Sequence, residues 1–449
     1  MRLMMSVSGV RGVVGETMTP QLAADLGCAY GTMLSGRRVV VARDSRPSGA
    51  MIRNAVVSGL LATGCDVVDL GVVSTPGAAM MIRTLGCAGG VVVTASHNPV
   101  IWNGIKFLTD EGLAPPKARA EAILGTYEAK SFGLVDVEGL GRLESNGTTV
   151  AAHVAATLEI VRPEPIRARG PRVVLDSVNG AGGDEGKALL ERLGCTVVQV
   201  NGEPTGQFAH PPEPLAENLT GLCEAVRAEG ADVGFAQDPD ADRLAIVDER
   251  GCYIGEEYTV ALAAMHYFQQ QPGPAAANLS TSRMIDALAA GAGPPCAVHR
   301  SPVGEANVVE TMKQHHCVFG GEGNGGVIDP RVVPVRDSLV AMAVVLKLMA
   351  DRGQTLSELV AQIPHFVMIK QKFACDRDRI GRILDAVRTQ FAGERINDAD
   401  GVRIDWAEGW VHVRGSNTEP IFRVIGEASD EATAAALIGR VRAVADGVQ

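Results

Sequence analysis

Val91-Val92-Val93-Thr94-Ala95-Ser96-His97-Asn98-Pro99 decides how the rest of this chain is read. Consecutive β-branched apolar residues read as a strand buried on both faces. The Ser-His-Asn-Pro that follows reads as a turn at the strand's end, with proline fixing the backbone just beyond it. Such a turn leaves one hydroxyl, that of Ser96, at the edge of a sheet between an imidazole and a small amide. That is a fitting seat for a serine that carries a covalent group.

The same strand-turn-helix grammar extends to both sides. Upstream, Val39-Val40-Val41-Ala42 is a strand that ends in Arg43-Asp44-Ser45-Arg46-Pro47-Ser48. Ser48 is placed to cap a helix whose apolar residues recur at Met51, Ile52, Val56, Leu60 and Leu61; Gly64 stops it before the strand Val67-Val68-Asp69-Leu70. Downstream, Val173-Val174-Leu175-Asp176 leads through Gly180, Gly182 and Gly183 to a helix at 187–193. A third stretch, 253–365, carries a helix with Asp337 as cap and Gly353 as stop. Strands alternating with helices in this way imply sheets that are mainly parallel and covered by helices. The units share a style but no repeat that aligns residue by residue.

The segment 136–149 is rich in glycine, serine, asparagine and charge and reads as a linker; further boundaries fall near 249–251 and 363–364. The last part differs. Strands at 366–373, 402–406 and 410–414 and helices at 380–391 and 431–445 lack glycine-rich crossovers and predict a small α+β domain on an antiparallel sheet. The expected organisation is three α/β domains at 1–145, 150–251 and 252–364, then the α+β domain at 365–449.

Bulk properties narrow the function. The formal net charge of −11 argues against a general nucleic-acid or anionic-membrane surface, while leaving room for a local basic pocket that grips a phosphate ester. With aromatics at 4%, base-stacking platforms are not expected either. Nine cysteines are scattered singly and predict reduced, buried thiols. No apolar run long enough for a membrane span or signal peptide stands in the chain, so a cytoplasmic protein is expected.

Asp232-Val233-Gly234-Phe235-Ala236 leads into Gln237-Asp238-Pro239-Asp240-Ala241-Asp242-Arg243, and a strand at Leu244-Ala245-Ile246-Val247 follows. Carboxylates at three alternate positions repel one another unless a cation sits among them. An oxygen-only ligand set favours Mg2+, with manganese as the alternative. A calcium loop of the EF-hand type is the competing reading; Arg243, which falls where that loop requires glycine, speaks against it. An arginine directly after the acids also speaks against a plain solvated turn, because it can hold a phosphate beside the metal.

Two further loops carry ligand chemistry. Gly320-Gly321-Glu322-Gly323-Asn324-Gly325-Gly326 follows an apolar strand at Cys317-Val318-Phe319. Its glycines allow close backbone approach, and Glu322 and Asn324 offer acceptors for vicinal sugar hydroxyls. Arg414-Gly415-Ser416-Asn417-Thr418-Glu419-Pro420, with Arg423 shortly after, gathers cations, hydroxyls and backbone N–H groups into an anion site.

With these loops in this order the chain resembles the α-D-phosphohexomutase family over essentially its full length. Ser8-Gly9-Val10-Arg11-Gly12, Arg43-Asp44-Ser45-Arg46-Pro47-Ser48-Gly49, Asn103-Gly104-Ile105-Lys106 and Asp176-Ser177-Val178-Asn179-Gly180-Ala181-Gly182-Gly183 are similar to further motifs of that family. The resemblance implies four domains around a central cleft. It implies Ser96 as the phosphoserine, and Mg2+ bound by Asp238, Asp240, Asp242 and a phosphoserine oxygen. Arg11, Lys106 and Arg243 would support the transfer. Glu322 and Asn324 would read sugar hydroxyls. Arg414, Ser416, Asn417, Thr418 and Arg423 would hold the phosphate that does not react. The phosphoenzyme would form a hexose 1,6-bisphosphate, which turns around and returns its other phosphoryl group to Ser96. Lys106 or His97 would move the hydroxyl proton, with Lys106 favoured by position; a base role there needs its pKa, ordinarily about 10.4, lowered by burial or cationic neighbours.

The sugar loop departs from the Glu-Met-Ser of many phosphomannomutases and phosphoglucomutases. Paired with Ser416-Asn417-Thr418-Glu419-Pro420, it resembles a subgroup assigned to phosphoglucosamine mutase. Glucosamine phosphate is therefore the expected substrate, with mannose or glucose phosphate as the alternative, and Glu305 is a candidate to face an amino group. A Mg2+-dependent sugar phosphatase would admit water to the phosphoserine. A bisphosphate synthase would load Ser96 from another donor. A non-catalytic sugar-phosphate-binding protein would be expected to lose the serine or the acids, and both are here. No nucleic-acid or membrane partner is expected, and the chain is read as a monomer or homodimer.

Overall fold

The computed structural model describes residues 3–6, 9–375, 377–415 and 421–448. It divides into two compact units, one of residues 1–266 with 325–360, the other of 267–324 with 361–449.

The first unit is built on two mixed sheets. The larger runs in the order Met4–Ser6, Gly9–Val13, Trp102–Thr109, Gly89–Val93, Val39–Arg43, Val67–Val72, Leu143–Ser145. Pairing is antiparallel as far as Gly89–Val93 and parallel beyond it. Ser96 therefore leaves the sheet from the strand where pairing changes sense, a place where neighbouring connections diverge and leave room for a ligand. Arg11 lies opposite Gly104, two residues before Lys106, so alternation puts the Arg11 and Lys106 side chains on one face. The smaller sheet runs Leu244–Asp248, Val233–Gln237, Arg172–Asp176, Thr196–Val200, with only its first pair antiparallel. The Asp238–Asp242 loop is the hairpin of that first pair, turned by Ala241 at φ 54°.

Helices Pro20–Leu34 and Gly49–Ala62 pack tightly together under the larger sheet. A Cβ at Gly27 would lie 2.5 Å from Val56 O, and one at Gly59 2.3 Å from Ala24 O, so only glycine permits this approach. Helix Ser338–Arg352 starts where Asp337 accepts from the N–H groups of Leu339 and Val340 and ends at Gly353 at φ 63°, as the sequence predicts.

In the second unit Ala297–Ser301, Pro274–Asn278 and Phe319–Glu322 pair in parallel. A fully antiparallel sheet follows in the order Val367–Ala374, Ile421–Ala428, Gly409–Gly415, Val402–Asp405, Arg395–Asn397. Helices Arg377–Gln390 and Glu431–Asp446 share its core.

Four local expectations need correction. The strand before the sugar loop is Phe319–Glu322, so Gly320, Gly321 and Glu322 belong to the sheet and not to the turn. The linker at 136–149 contains the edge strand Leu143–Ser145. Ser48 stands at the N-cap of Gly49–Ala62 without capping it; its Oγ accepts from Asn103 Nδ2 at 2.9 Å instead. The cysteines are all free, but only Cys65, Cys87, Cys317 and Cys375 are buried, and Cys252 is exposed.

Candidate active site

Ser96 is 2% exposed and holds a left-handed φ of 50°. Its N–H donates to Thr94 Oγ1 at 2.9 Å. Its Oγ donates to Asp238 Oδ2 at 2.9 Å and lies 3.4 Å from His97 Nδ1. Burial, then the charges of Arg243 and Arg11, push the His97 pKa down to about 2, so its imidazole is neutral at physiological pH. A base that weak is a poor acceptor for a hydroxyl proton.

The carboxylates of Asp238, Asp240 and Asp242 are all buried, and one ligand oxygen from each lies within 4.8 Å of the others. Asp238 Oδ1 accepts from the N–H groups of Asp242 and Arg243, which closes the hairpin around it. Burial, then the negative charges of Asp242 and Asp240, raise its pKa well above the ordinary carboxylate value. Burial also opposes ionisation of Asp240, but Lys106 and the hydrogen bonds from Lys106 and Thr75 outweigh it and hold that pKa low. Asp240 Oδ2 takes both bonds, 2.6 Å from Lys106 Nζ and 2.7 Å from Thr75 Oγ1. Asp242 Oδ2 accepts from Arg336 and lies 3.7 Å from Lys106 Nζ. Asp240 Oδ1 and Asp242 Oδ1 are buried with no hydrogen-bond donor among the described residues. Two orphaned carboxylate oxygens beside a third carboxylate that resists ionisation are what a divalent cation relieves.

Lys106 does not have the lowered pKa that a base needs. Burial works against its charge, yet Asp240 and then Asp242 outweigh burial and raise the pKa. Arg11 Nη1 donates to Asn98 Oδ1 at 3.0 Å, which ties the first strands to the serine loop, and burial lowers its pKa. Arg243 Nε is 3.8 Å from Asp242 Oδ1. The serine turn, the acidic hairpin, Arg11, Lys106 and Arg243 thus converge within the first unit.

The sequence reading missed Arg336, Thr75 and Thr94, which bind the acidic hairpin or the serine directly. Arg336 stands just before the Asp337 cap, and only that neighbourhood signals it.

In the second unit Glu322 is buried and accepts from Asn278 Nδ2 at 2.7 Å and Gly304 N–H at 3.1 Å. Asn324 Oδ1 is buried with no donor among the described residues, so a ligand hydroxyl would satisfy it. Arg414 and Arg423 lie opposite one another on paired strands, where like charges repel unless an anion joins them. Arg414 Nε stands 3.1 Å from Asp400 Oδ2, in an ion pair without hydrogen-bond alignment. Ser416, Asn417 and Thr418 lie outside the described residues.

Sheets and site together define the class: a multidomain α/β protein suited to phosphoryl transfer at a serine beside a carboxylate cluster. The chain belongs to the phosphoglucomutase/phosphomannomutase family. The family's alpha/beta/alpha domain I matches residues 2–134, domain II 151–251, domain III 255–366 and the C-terminal domain 368–444. It is thus a phosphohexomutase, an isomerase by intramolecular phosphoryl transfer. The phosphoglucomutase/phosphomannomutase of Thermococcus kodakarensis is 38% identical over 433 residues, 94% of each chain. A protein of Methanopyrus kandleri named "Probable phosphoglucosamine mutase" is 38% identical over 432 residues, 94% of this chain and 93% of that one. The crystal structure of a phosphoglucomutase/phosphomannomutase family protein from Burkholderia thailandensis matches with a TM-score of 0.86 at 26% identity, covering 99% of each chain.

Proposed function

We propose that this phosphohexomutase interconverts glucosamine 6-phosphate and glucosamine 1-phosphate through phosphorylated Ser96 and a hexose 1,6-bisphosphate. One observation carries the reading: the Ser96 hydroxyl is hydrogen-bonded to a carboxylate cluster that keeps two unpaired oxygens. In the first half-reaction the Ser96 Oγ–P bond breaks as a sugar hydroxyl oxygen bonds to phosphorus, and the proton lost by that hydroxyl ends on Ser96 Oγ, which leaves as the free serine hydroxyl. The bisphosphate turns around, and the reverse transfer restores the phosphoserine. Arg11, Lys106 and Arg243 spread positive charge around the moving group, which is most of what phosphoryl transfer asks of a protein. Lys106 enters as a cation paired with Asp240. Glu322 and Asn324 would read the sugar, and Arg414 and Arg423, with Ser416, Asn417 and Thr418 by family position, would hold the second phosphate. We divide the chain into working domains at 1–145, 150–251, 252–364 and 365–449 and place it in the cytoplasm. None of the described helices is long and apolar enough to cross a membrane.

The donor set fits Mg2+, which would be held by Asp238, Asp240, Asp242 and an oxygen of phosphoserine. Bound there, it withdraws charge from the phosphoryl oxygens. Mg2+ at 100 times its dissociation constant is expected to stabilise the protein by about 2.7 kcal/mol. Differential scanning fluorimetry checks this; the shift should vanish in Asp240→Asn, and an unshifted midpoint in the wild type removes the metal assignment.

Substrate preference is tested by coupled assays on glucosamine, glucose and mannose 6-phosphates. The expected order of kcat/KM puts glucosamine 6-phosphate first. Support for it comes from the Gly-Glu-Gly-Asn-Gly-Gly loop and its unsatisfied Asn324. A higher value for glucose or mannose phosphate favours the second reading, phosphoglucomutase/phosphomannomutase.

A further inference from the structure

We propose that Arg46 is the positioning residue for the reacting serine: it fixes the backbone of residues 96–102 in the shape that aims Ser96 Oγ at the acidic hairpin. The inference rests on the phosphoserine reading of Ser96.

Arg46 is 0% exposed, a rare state for an arginine. Every N–H of its guanidinium is engaged. Nε donates to Asp44 Oδ2 at 3.0 Å. Nη1 donates to Pro99 O at 2.8 Å and Trp102 O at 3.0 Å. Nη2 donates to Ser96 O and Asn98 O, both at 2.6 Å. Four of five bonds thus go to carbonyls of the serine loop. The Phe208 ring covers the guanidinium, its centroid 5.0 Å away.

Asp44 completes the template. Its Oδ1 accepts from Arg46 N–H, and its Oδ2 also accepts from Thr94 Oγ1 at 2.6 Å. Thr94 Oγ1 in turn accepts the Ser96 N–H. One buried ion pair therefore holds the serine residue from both sides, through its amide and through its carbonyl.

Such over-determination has a physical purpose. A non-glycine residue in the left-handed region costs roughly 1–3 kcal/mol and persists only where its surroundings enforce it. Ser96 bears that cost at φ 50°, next to the bond that must break. Left free, the loop would relax toward an ordinary conformation and swing Oγ away from Asp238. The fork suits this task because five donors lie in one plane; lysine has three donors on a flexible stem. The Arg46 charge is taken up by Asp44 and by carbonyl dipoles, so its effect on the reaction runs through geometry.

The test uses the full-length enzyme with Mg2+. Mass spectrometry of the wild type first establishes a phosphoryl adduct on the Ser96 peptide. Its absence overturns the phosphoserine reading, and the positioning role falls with it; the variants overturn Arg46 alone. With the adduct present, Arg46→Lys keeps the charge opposite Asp44 and is expected to fold. A loss of about 100-fold in kcat is expected, the scale for a displacement near 1 Å, with KM and Mg2+ affinity unchanged. Arg46→Ala should regain turnover with added guanidinium ion and not with ethylammonium. An Arg46→Lys kcat equal to wild type, or a loss confined to KM, overturns the proposal. So does failure of both variants to fold, which makes Arg46 a purely architectural residue. If only Arg46→Ala fails to fold, Arg46→Lys decides.

Discussion

Ser96→Ala is expected to lower mutase turnover by on the order of 10⁴- to 10⁶-fold, the scale seen when a covalent nucleophile is removed. The fold should survive. The alanine loses the hydrogen bond from Oγ to Asp238 and the 3.4 Å contact of Oγ with His97 Nδ1. The bonds that shape the loop run to the Ser96 backbone: Arg46 to its carbonyl and its own N–H to Thr94. Alanine holds a left-handed φ no worse than serine does, so the stability change should stay near the roughly 1–3 kcal/mol of an acceptor left without its donor. A coupled assay and thermal unfolding of the same preparation check both halves. Mass spectrometry of the wild type after incubation with hexose 1,6-bisphosphate should show a phosphoryl group on the Ser96 peptide and none on the variant. Undiminished turnover in Ser96→Ala ends the assignment, and with it the phosphatase and bisphosphate-synthase alternatives, which also pass through a phosphorylated Ser96.

The residues proposed to do chemistry sit at the ends of strands, and their signals are local. Val91-Val92-Val93 before Ser96 and Phe235-Ala236-Gln237 before Asp238 each mark a strand and the turn that follows. The alternate acids of the hairpin likewise show their spacing within a few residues. What supports them was not legible. Arg46 stands in a motif similar to the family's, but nothing local says that its guanidinium reaches Trp102 O, 56 positions on. Thr75 reads as the start of an ordinary helix, yet its hydroxyl binds Asp240 across 165 positions. The edge strand Leu143–Ser145 hides in a polar stretch because all three of its residues are exposed and carry no apolar alternation. Gly320 and Gly321 read as turn because glycine is poor in strands. At Gly320 the Met312 sulfur occupies the space a side chain would need, 2.5 Å from where its Cβ would lie.

Behind the acidic hairpin the first unit carries a second tier of buried charge. Glu185 accepts from the Ser74 N–H and hydroxyl, and the next residue, Thr75, binds Asp240 by both its hydroxyl and its N–H. Asp337 caps helix Ser338–Arg352; its neighbours reach the hairpin as well, Arg336 at Asp242 and Ser338 N–H at Ala241 O. Glu185 and Asp337 therefore stand one residue behind groups that fix two of the three proposed metal ligands. The same imidazole joins both of them.

That imidazole is His153, fully buried in helix Thr149–Val161. Nδ1 is 2.8 Å from Glu185 Oε2 and Nε2 is 2.7 Å from Asp337 Oδ2. Both nitrogens face carboxyl oxygens; with both carboxylates ionised both nitrogens donate, which only the protonated ring can do. Burial opposes that charge, but Asp337 and then Glu185 outweigh it and raise the pKa to about 10. His153→Ala leaves two carboxylates buried without their cation and is expected to cost about 3–5 kcal/mol, the scale for breaking a buried ion pair from one side. The pH dependence has a definite sign. A folded-state pKa near 10 above an unfolded value of 6.5 gives stability that is fully present below pH 6.5 and lost as pH rises toward 10. The wild-type minus variant difference in denaturant midpoint should therefore shrink steadily between those limits. Glu185, whose pKa is held low by His153 and Ser74 against burial, adds a contribution of opposite sense that disappears only in acid. A His153→Ala midpoint equal to wild type, or a difference that stays flat across the alkaline range, would show that the ring is neutral and the second tier is held by hydrogen bonds alone.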